Sequence, residues 1–426
     1  MRNANSILKA LLALLMCLIV SAPAEAQRRG QQPAEEVLFP NALREEPKIK
    51  PVNRLQRQLK AVYDNSLEED KQAETEAGGK QLLASSQAGP YEKALVNQLL
   101  AQVELGRDDP GRDNYLAAIA YYQAALESGG LTNNQYFPVM QNVAQLQFQE
   151  EDYSGAIETF SRYMQESQTE TAQLLSLRGN AYYRMENYEQ AAADLRKAMG
   201  LQDTPDSAVS QMLMASLFEL GRNEEAASVA AELLQKEPQN ANLVRNLSAI
   251  YVNGDQIDKA IEVLADGLQR GVTAEQRDYI ELSKMYRYAE QDVKAAELMV
   301  SGLSSGVVEP SLEIYRALGE AYYFSENIAQ ASEAFGKADE FATDGEMALN
   351  HARTLAELER WADTKAAANR AISKGVKRPG DAYVILGAAE FGLNNQPAGL
   401  AAYREAAKYP ETKAMAEAYL RQTSRR

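Results

Sequence analysis

Few side chains in this sequence are equipped for catalysis, and their scarcity excludes whole classes of function. His351 is the only histidine and Cys17 the only cysteine among 426 residues. With a single histidine, a triad, a histidine-based general acid or a two-histidine metal site within one chain is not expected. Ala348, Leu349, Ala352 and Leu355 flank His351 at helical spacing, so it reads as a partly buried structural residue. Cys17 sits inside an apolar run that belongs to a removable leader. Without it there is no thiol nucleophile, disulfide or thiolate metal site. The chain has no glycine-rich Walker loop and no Gly-x-Ser-x-Gly elbow. Acidic pairs remain: Glu68-Glu69, Asp108-Asp109, Glu150-Glu151 and Glu224-Glu225. Two carboxylates about 5 to 9.5 Å apart across a cleft can cleave a glycan. These pairs instead fall in expected turns and helix starts, where negative charge favours the helix dipole. The expectation is a protein that is not an enzyme, with no catalytic residue, no metal and no cofactor.

Aromatic residues form the other candidate set. Phe148, Tyr183, Phe218, Tyr323 and Phe391 recur at one place in a repeating pattern, with Val252, Arg287 and Ala356 at the same place in other copies. Rings offer large contact area at low entropic cost, so such a line can anchor a peptide. It can equally fill gaps between helices. Gln141, Gln145, Asn180, Arg245, Lys284, Arg316, Glu320 and Arg353 surround it, a mixed polar lining with basic groups gathered in the later copies. Trp361 falls at an expected turn and reads as a packing residue.

The elements that carry these residues are helix pairs. Leu177 to Ala198 reads as two short amphipathic helices joined by a turn at Met185, Glu186 and Asn187. Gly179, Ala191 and Ala198 are small where two backbones must approach, and Tyr182, Tyr188 and Leu195 fill the space around them. The same unit returns along the chain. Ala118, Ala156, Ala191, Ala226, Ala260, Ala295, Ala331, Thr364 and Gly399 follow one another at intervals of 33 to 38 residues. A large or small apolar residue lies four positions after each, and a third column lies three positions further on. Chance does not keep three columns in step through nine units, so this is an internal repeat.

Four segments follow. Residues 1–26 read as a signal peptide: Arg2 and Lys9, an apolar run from Ala10 to Val20, and Ala24-Glu25-Ala26 before the expected cut. Residues 27–52, with Pro33, Pro40, Pro47 and Pro51, are a flexible or extended leader. Residues 53–90 form a degenerate, polar helical cap, which a stacked array needs at its end. Residues 91–426 hold the array and a last helix from Lys413 to Arg421. The net charge is −16, which disfavours nucleic acid and anionic lipid surfaces. No later run is long enough to span a bilayer, so the mature chain is expected to be soluble and periplasmic.

The repeat resembles tetratricopeptide repeat proteins. The likeness rests on Leu247-Ser248 with Tyr251, Ala260 and Leu264, on Leu318-Gly319 with Tyr322, Ala331, Phe335 and Ala338, and on the Gly179 to Ala198 set. It covers roughly Tyr91 to Lys413. No unit has the family's tryptophan near the start of its first helix, and Thr364 and Gly399 replace alanine, so the last two units are expected to be looser. The resemblance implies an all-α tetratricopeptide superhelix, an α-solenoid of about nine helix-turn-helix repeats. It also implies that Phe148, Tyr183, Phe218, Arg287, Tyr323 and Phe391 lie on a concave face that binds protein partners. Gly129 to Met164 is further similar to the periplasmic repeat proteins that accompany TonB, ExbB and ExbD, on its YYQAAL, Asn134, AQL and EDY elements. That likeness implies TonB or other cell-envelope machinery as the partner, with an acidic groove taking a Lys- and Pro-rich stretch. A scaffold for exopolysaccharide or outer-membrane protein assembly is the alternative. The oligomeric state stays open.

Overall fold

The computed structural model describes residues 36–204 and 206–423; the expected signal peptide and Cys17 lie outside them. Among the described residues there are 21 α-helices, two 3-10 turns (Asn53–Leu55 and Glu69–Lys71) and no strand. None of these helices is long and apolar enough to cross a membrane. They form two compact units. The first takes the described residues up to Leu146 together with Arg162–Thr169, and the second takes Gln147–Ser161 and everything from Glu170 onward.

The first unit contains α1 (Gln56–Ser66), α2 (Gln72–Ala84), α3 (Pro90–Leu105), α4 (Arg112–Glu127), the beginning of α5 (Asn133–Gln149) and the end of α6 (Tyr153–Ser167). Leu55, Leu59, Val62 and Leu82 meet Leu95, Val96, Leu99 and Leu100 in one core cluster, so α1 and α2 cover the apolar face of α3. Gly78 and Gly79 make this possible: a Cβ on Gly78 would stand 2.8 Å from Val62 Cγ2, and one on Gly79 3.0 Å from Leu100 Cδ2. The buried carboxylate of Glu92 accepts the Val52 N–H at 2.6 Å and the Gly89 N–H at 3.1 Å, fixing the chain's approach to this cap. Residues 36–52, where composition suggests a flexible or extended leader, carry no helix, and residues 36–46 are hydrogen-bonded to the start of α5 and the end of α6.

The second unit continues with α7 (Ala172–Arg184), α8 (Tyr188–Gly200), α9 (Ser207–Glu219), α10 (Asn223–Lys236), α11 (Ala241–Asn253), α12 (Ile257–Gln269) and α13 (Gln276–Tyr288). It is completed by α14 (Asp292–Ser304), α15 (Leu312–Phe324), α16 (Ile328–Phe341), α17 (Glu346–Glu357), α18 (Trp361–Lys374), α19 (Pro379–Gly392), α20 (Gln396–Ala406) and α21 (Lys413–Thr423). Odd-numbered helices from α7 to α19 are the first members of pairs. The small column on their partners is fully buried: Ala191, Ala226, Ala260, Ala295, Ala331 and Thr364 all have 0% of their surface accessible. Sizes are matched across each pair. A Cβ on Gly179 would meet Leu195 at 2.9 Å, and one on Gly319 would meet Phe335 at 2.7 Å. Where the first helix carries the larger Met214, the corresponding second-helix residue is Ala230. Each pair thereby keeps its close-packed volume with different residues.

The two units expected to be looser are closed. Thr364 Oγ1 donates to the Arg360 carbonyl at 3.0 Å, so its buried hydroxyl is satisfied. The space above Gly399 is filled by the Phe391 ring, which a Cβ there would meet at 2.6 Å.

Within the pairs the turns share one conformation. Glu151, Glu186, Asp255, Glu290, Glu326, Glu359 and Asn394 have φ between 55° and 62°, and Gly221 has φ 70°. The residue after each donates its N–H five positions back, as Asn187 does to Tyr182 and Gln256 to Tyr251. This is the Schellman arrangement that ends a helix sharply. Several first helices then start with a side-chain cap, among them Thr171 on Leu174 N–H and Ser311 on Ile314 N–H.

A candidate partner-binding groove

The strip position, one residue past the tyrosine-rich core column, has several fates. Phe148 packs edge-on against Tyr153 at 5.3 Å, and Tyr183 against Tyr188 at 5.4 Å, each across its own turn. Arg287 follows the same geometry with charge: its guanidinium lies 3.7 Å from Asp292 and donates to Glu320 at 2.8 Å. Tyr323 is exposed, stacks edge-on with Phe324 and donates its hydroxyl to Glu357 at 3.2 Å. Phe391 sits on Gly399 between Tyr403 and Tyr419, so it serves packing. Trp361 also packs, flat on the backbone of Gly392.

Phe218 is different. Together with Val252 it borders an open cavity of about 760 Å³ lined by three consecutive first helices, α9, α11 and α13, by the turn after α11, and by Ile257 and Leu264 of the second helix α12. The floor is apolar: Ala249, Val252, Ile257, Leu264 and Met285, closed at one side by Phe218 and at the other by Tyr288. Tyr288 is the most exposed large ring of the described chain, at 71%. The structure thus gathers Phe218 and Val252 at one site and leaves Phe148, Tyr183, Arg287, Tyr323 and Phe391 apart from it.

The walls carry Arg245, Arg277 and Lys284 against Asp255, Asp278 and Glu281. Arg245 grips buried Asp278 with two parallel hydrogen bonds of 2.7 and 2.9 Å, and it reaches Glu275 at 2.9 Å. Burial works to raise the Asp278 carboxyl, but the Arg245 bonds and the Glu275 N–H outweigh it and hold the group below the ordinary carboxylate range. Lys284 is answered by Glu281 at 2.9 Å. The basic groups of the later copies are likewise paired, Arg353 with Asp381 and Arg316 with Glu320. The groove is therefore balanced in charge, which corrects the expectation of an acidic groove: the surplus of acid in the composition lies elsewhere.

Tyr288, Met285 and Asp278 were missed by sequence reasoning. A signal existed for Tyr288: it and Phe324, which is 65% exposed, are aromatic at the last residue of a first helix, where a polar residue is the ordinary choice. Glu68 binds Lys71, Glu225 binds Arg222 and Arg196, and among the described residues no cluster of histidine, cysteine or carboxylates fit for a metal ion occurs. His351 is half-buried on α17, its ring facing Gly336.

An array of paired helices with a groove on its first helices is the architecture of a repeat scaffold. Tetratricopeptide repeat models match residues 176–241 and 217–278, a stretch that holds the groove residues from Phe218 to Asp278. No curated protein matches the chain. Among solved structures it is similar to the C-terminal part of a tetratricopeptide repeat protein from Cytophaga hutchinsonii: 17% identity, 56% of this chain and 97% of that one, TM-score 0.43. A tetratricopeptide repeat protein from Parabacteroides merdae gives 12% identity over 59% of this chain and 98% of the other, at TM-score 0.35. YrrB, described as a tetratricopeptide repeat protein with an unusual peptide-binding site, gives 18% identity, 48% and 97% coverage, and TM-score 0.37.

Proposed function

We propose that this chain is a protein-interaction scaffold whose partner docks in the groove between Phe218 and Tyr288. The observation that carries this reading is the apolar floor left open between three successive first helices and α12 and flanked by an exposed tyrosine. In the finer reading the chain is exported to the periplasm and assists TonB-dependent energy transduction to outer-membrane transport. The balanced walls change how such a partner would be held. A Lys- and Pro-rich stretch would lay proline rings against Tyr288 and Phe218, as polyproline segments do in aromatic-lined grooves, and its lysines would contribute little.

Capture from a periplasmic extract tests this. The parent chain should recover TonB, and the Phe218→Ala/Tyr288→Ala variant should recover about ten-fold less while keeping its melting temperature. Recovery of exopolysaccharide or outer-membrane assembly components in its place would replace the TonB reading. Equal recovery by parent and variant would remove the groove as the site.

A further inference from the structure

A second recognition surface lies in the first unit and is already filled. Residues 36–46 have no helix, yet they are held along their length. Asn134 brackets the backbone, accepting the Leu38 N–H at 3.0 Å and donating to the Glu36 carbonyl at 2.7 Å. Phe39 lies tilted against Phe137, with ring centroids 4.7 Å apart, and meets Tyr163 edge-on at 6.3 Å. The Leu43 N–H reaches the Glu166 carbonyl at 2.8 Å. Arg44 lies 4.1 Å over the Tyr136 ring and donates to Asn133 Oδ1 at 2.7 Å and to the Leu131 carbonyl at 3.0 Å. Glu46 accepts the Asn133 N–H at the start of α5 at 3.1 Å.

These are the contacts of a ligand more than those of a core. A core segment would bury Val37, Leu38 and Leu43, which are 65, 47 and 69% exposed. The receptor side also has contacts of its own: Tyr136, Phe137 and Tyr163 form a ring cluster, and Arg162 donates to the Tyr136 hydroxyl. We propose that this surface is a site for an extended segment of a partner protein, and that residues 36–46 are a resident copy which the partner displaces. The segment it fits has an aromatic residue followed by proline, an arginine five residues after the aromatic, and a glutamate two further on, as in Phe39, Pro40, Arg44 and Glu46. A second copy of the chain is the poorer source. The six-residue link 47–52 spans about 20 Å at most, and its far end is fixed by the Val52–Glu92 bond.

A tethered segment acts at millimolar effective concentration, so weakening it should open the site. The probe is a fluorescein-labelled peptide of residues 36–46, read by anisotropy against the full chain and its Phe39→Ala/Arg44→Ala variant. Binding to the variant should be about ten-fold tighter or more, and adding Asn134→Ala should weaken it again several-fold. No binding to the variant, or equal binding to both, overturns the proposal. So does a melting temperature that falls as far in the variant as in Phe137→Ala, which would make the segment part of the core. Light scattering that shows the parent exchanging segments in two-copy assemblies would overturn the choice of partner.

Discussion

The α9–α13 groove and the α19–α21 end use the same repeat position in opposite ways. At the groove the second-helix column offers Ala226 and Ala260, both fully buried, and the strip side chains Phe218 and Val252 stay at the rim of a cavity. At the end the column offers Gly399, and Phe391 drops onto it between Tyr403 and Tyr419. One methyl group on a neighbouring helix thus accompanies the difference between a ring that packs and a ring that can be offered to a partner.

The sharpest test of that contrast is truncation at both places. Phe391→Ala should cost about 3 to 5 kcal/mol, the range for lost packed rings, whereas Phe218→Ala should leave the melting temperature nearly unchanged; equal losses in thermal unfolding would erase the distinction. Overpacking comes next. Gly399→Ala drives a methyl into the Phe391 ring, and Ala191→Leu fills a position with no accessible surface. Each should cost about 1 to 3 kcal/mol, against little for Ala193→Leu on the exposed side of the same helix.

A smaller effect is read in pH. Burial, with Arg370 beside it, holds His351 below its ordinary value, while Asp339 works the other way. The unfolded chain therefore takes up the proton first, and stability fully present above about pH 6.5 is lost as pH falls from there through the lower value that His351 has in the folded chain. The melting temperature of the parent should drop between pH 7.5 and 5.5 more steeply than that of His351→Gln, and parallel curves would refute it. Smallest of all, Glu186→Gly relieves a left-handed turn residue, and a gain of about 0.5 kcal/mol is expected in denaturant titration.

Most of the fold was legible because repetition multiplies a weak signal. Alanine at position 191 says little alone, but Ala191, Ala226, Ala260 and Ala295 in register define a buried seam. The seam's exceptions were not legible. Gly399 read as a loose site because nothing in its own helix says that Phe391, eight residues earlier, turns inward. The groove was half legible. Phe218 was marked by its column, while Tyr288 lies one position outside it. The acid–base balance of the walls depends on Arg245 meeting Asp278, 33 residues away. The anchoring of residues 36–46 had no periodic pattern to reveal it, since its partners lie about 90 residues further along the chain.

The link that follows those residues has a proteolytic consequence. Lys48 and Lys50 are exposed between Pro47 and Pro51, and trypsin does not cut before proline, so Lys48 is the cleavage point. A single nick there would turn an internal segment into a separate chain, held only by Phe39, Arg44, Glu46 and the backbone bonds around them. Dilution alone would then wash it out, and the receptor face of α5 would be obtained empty without changing any residue.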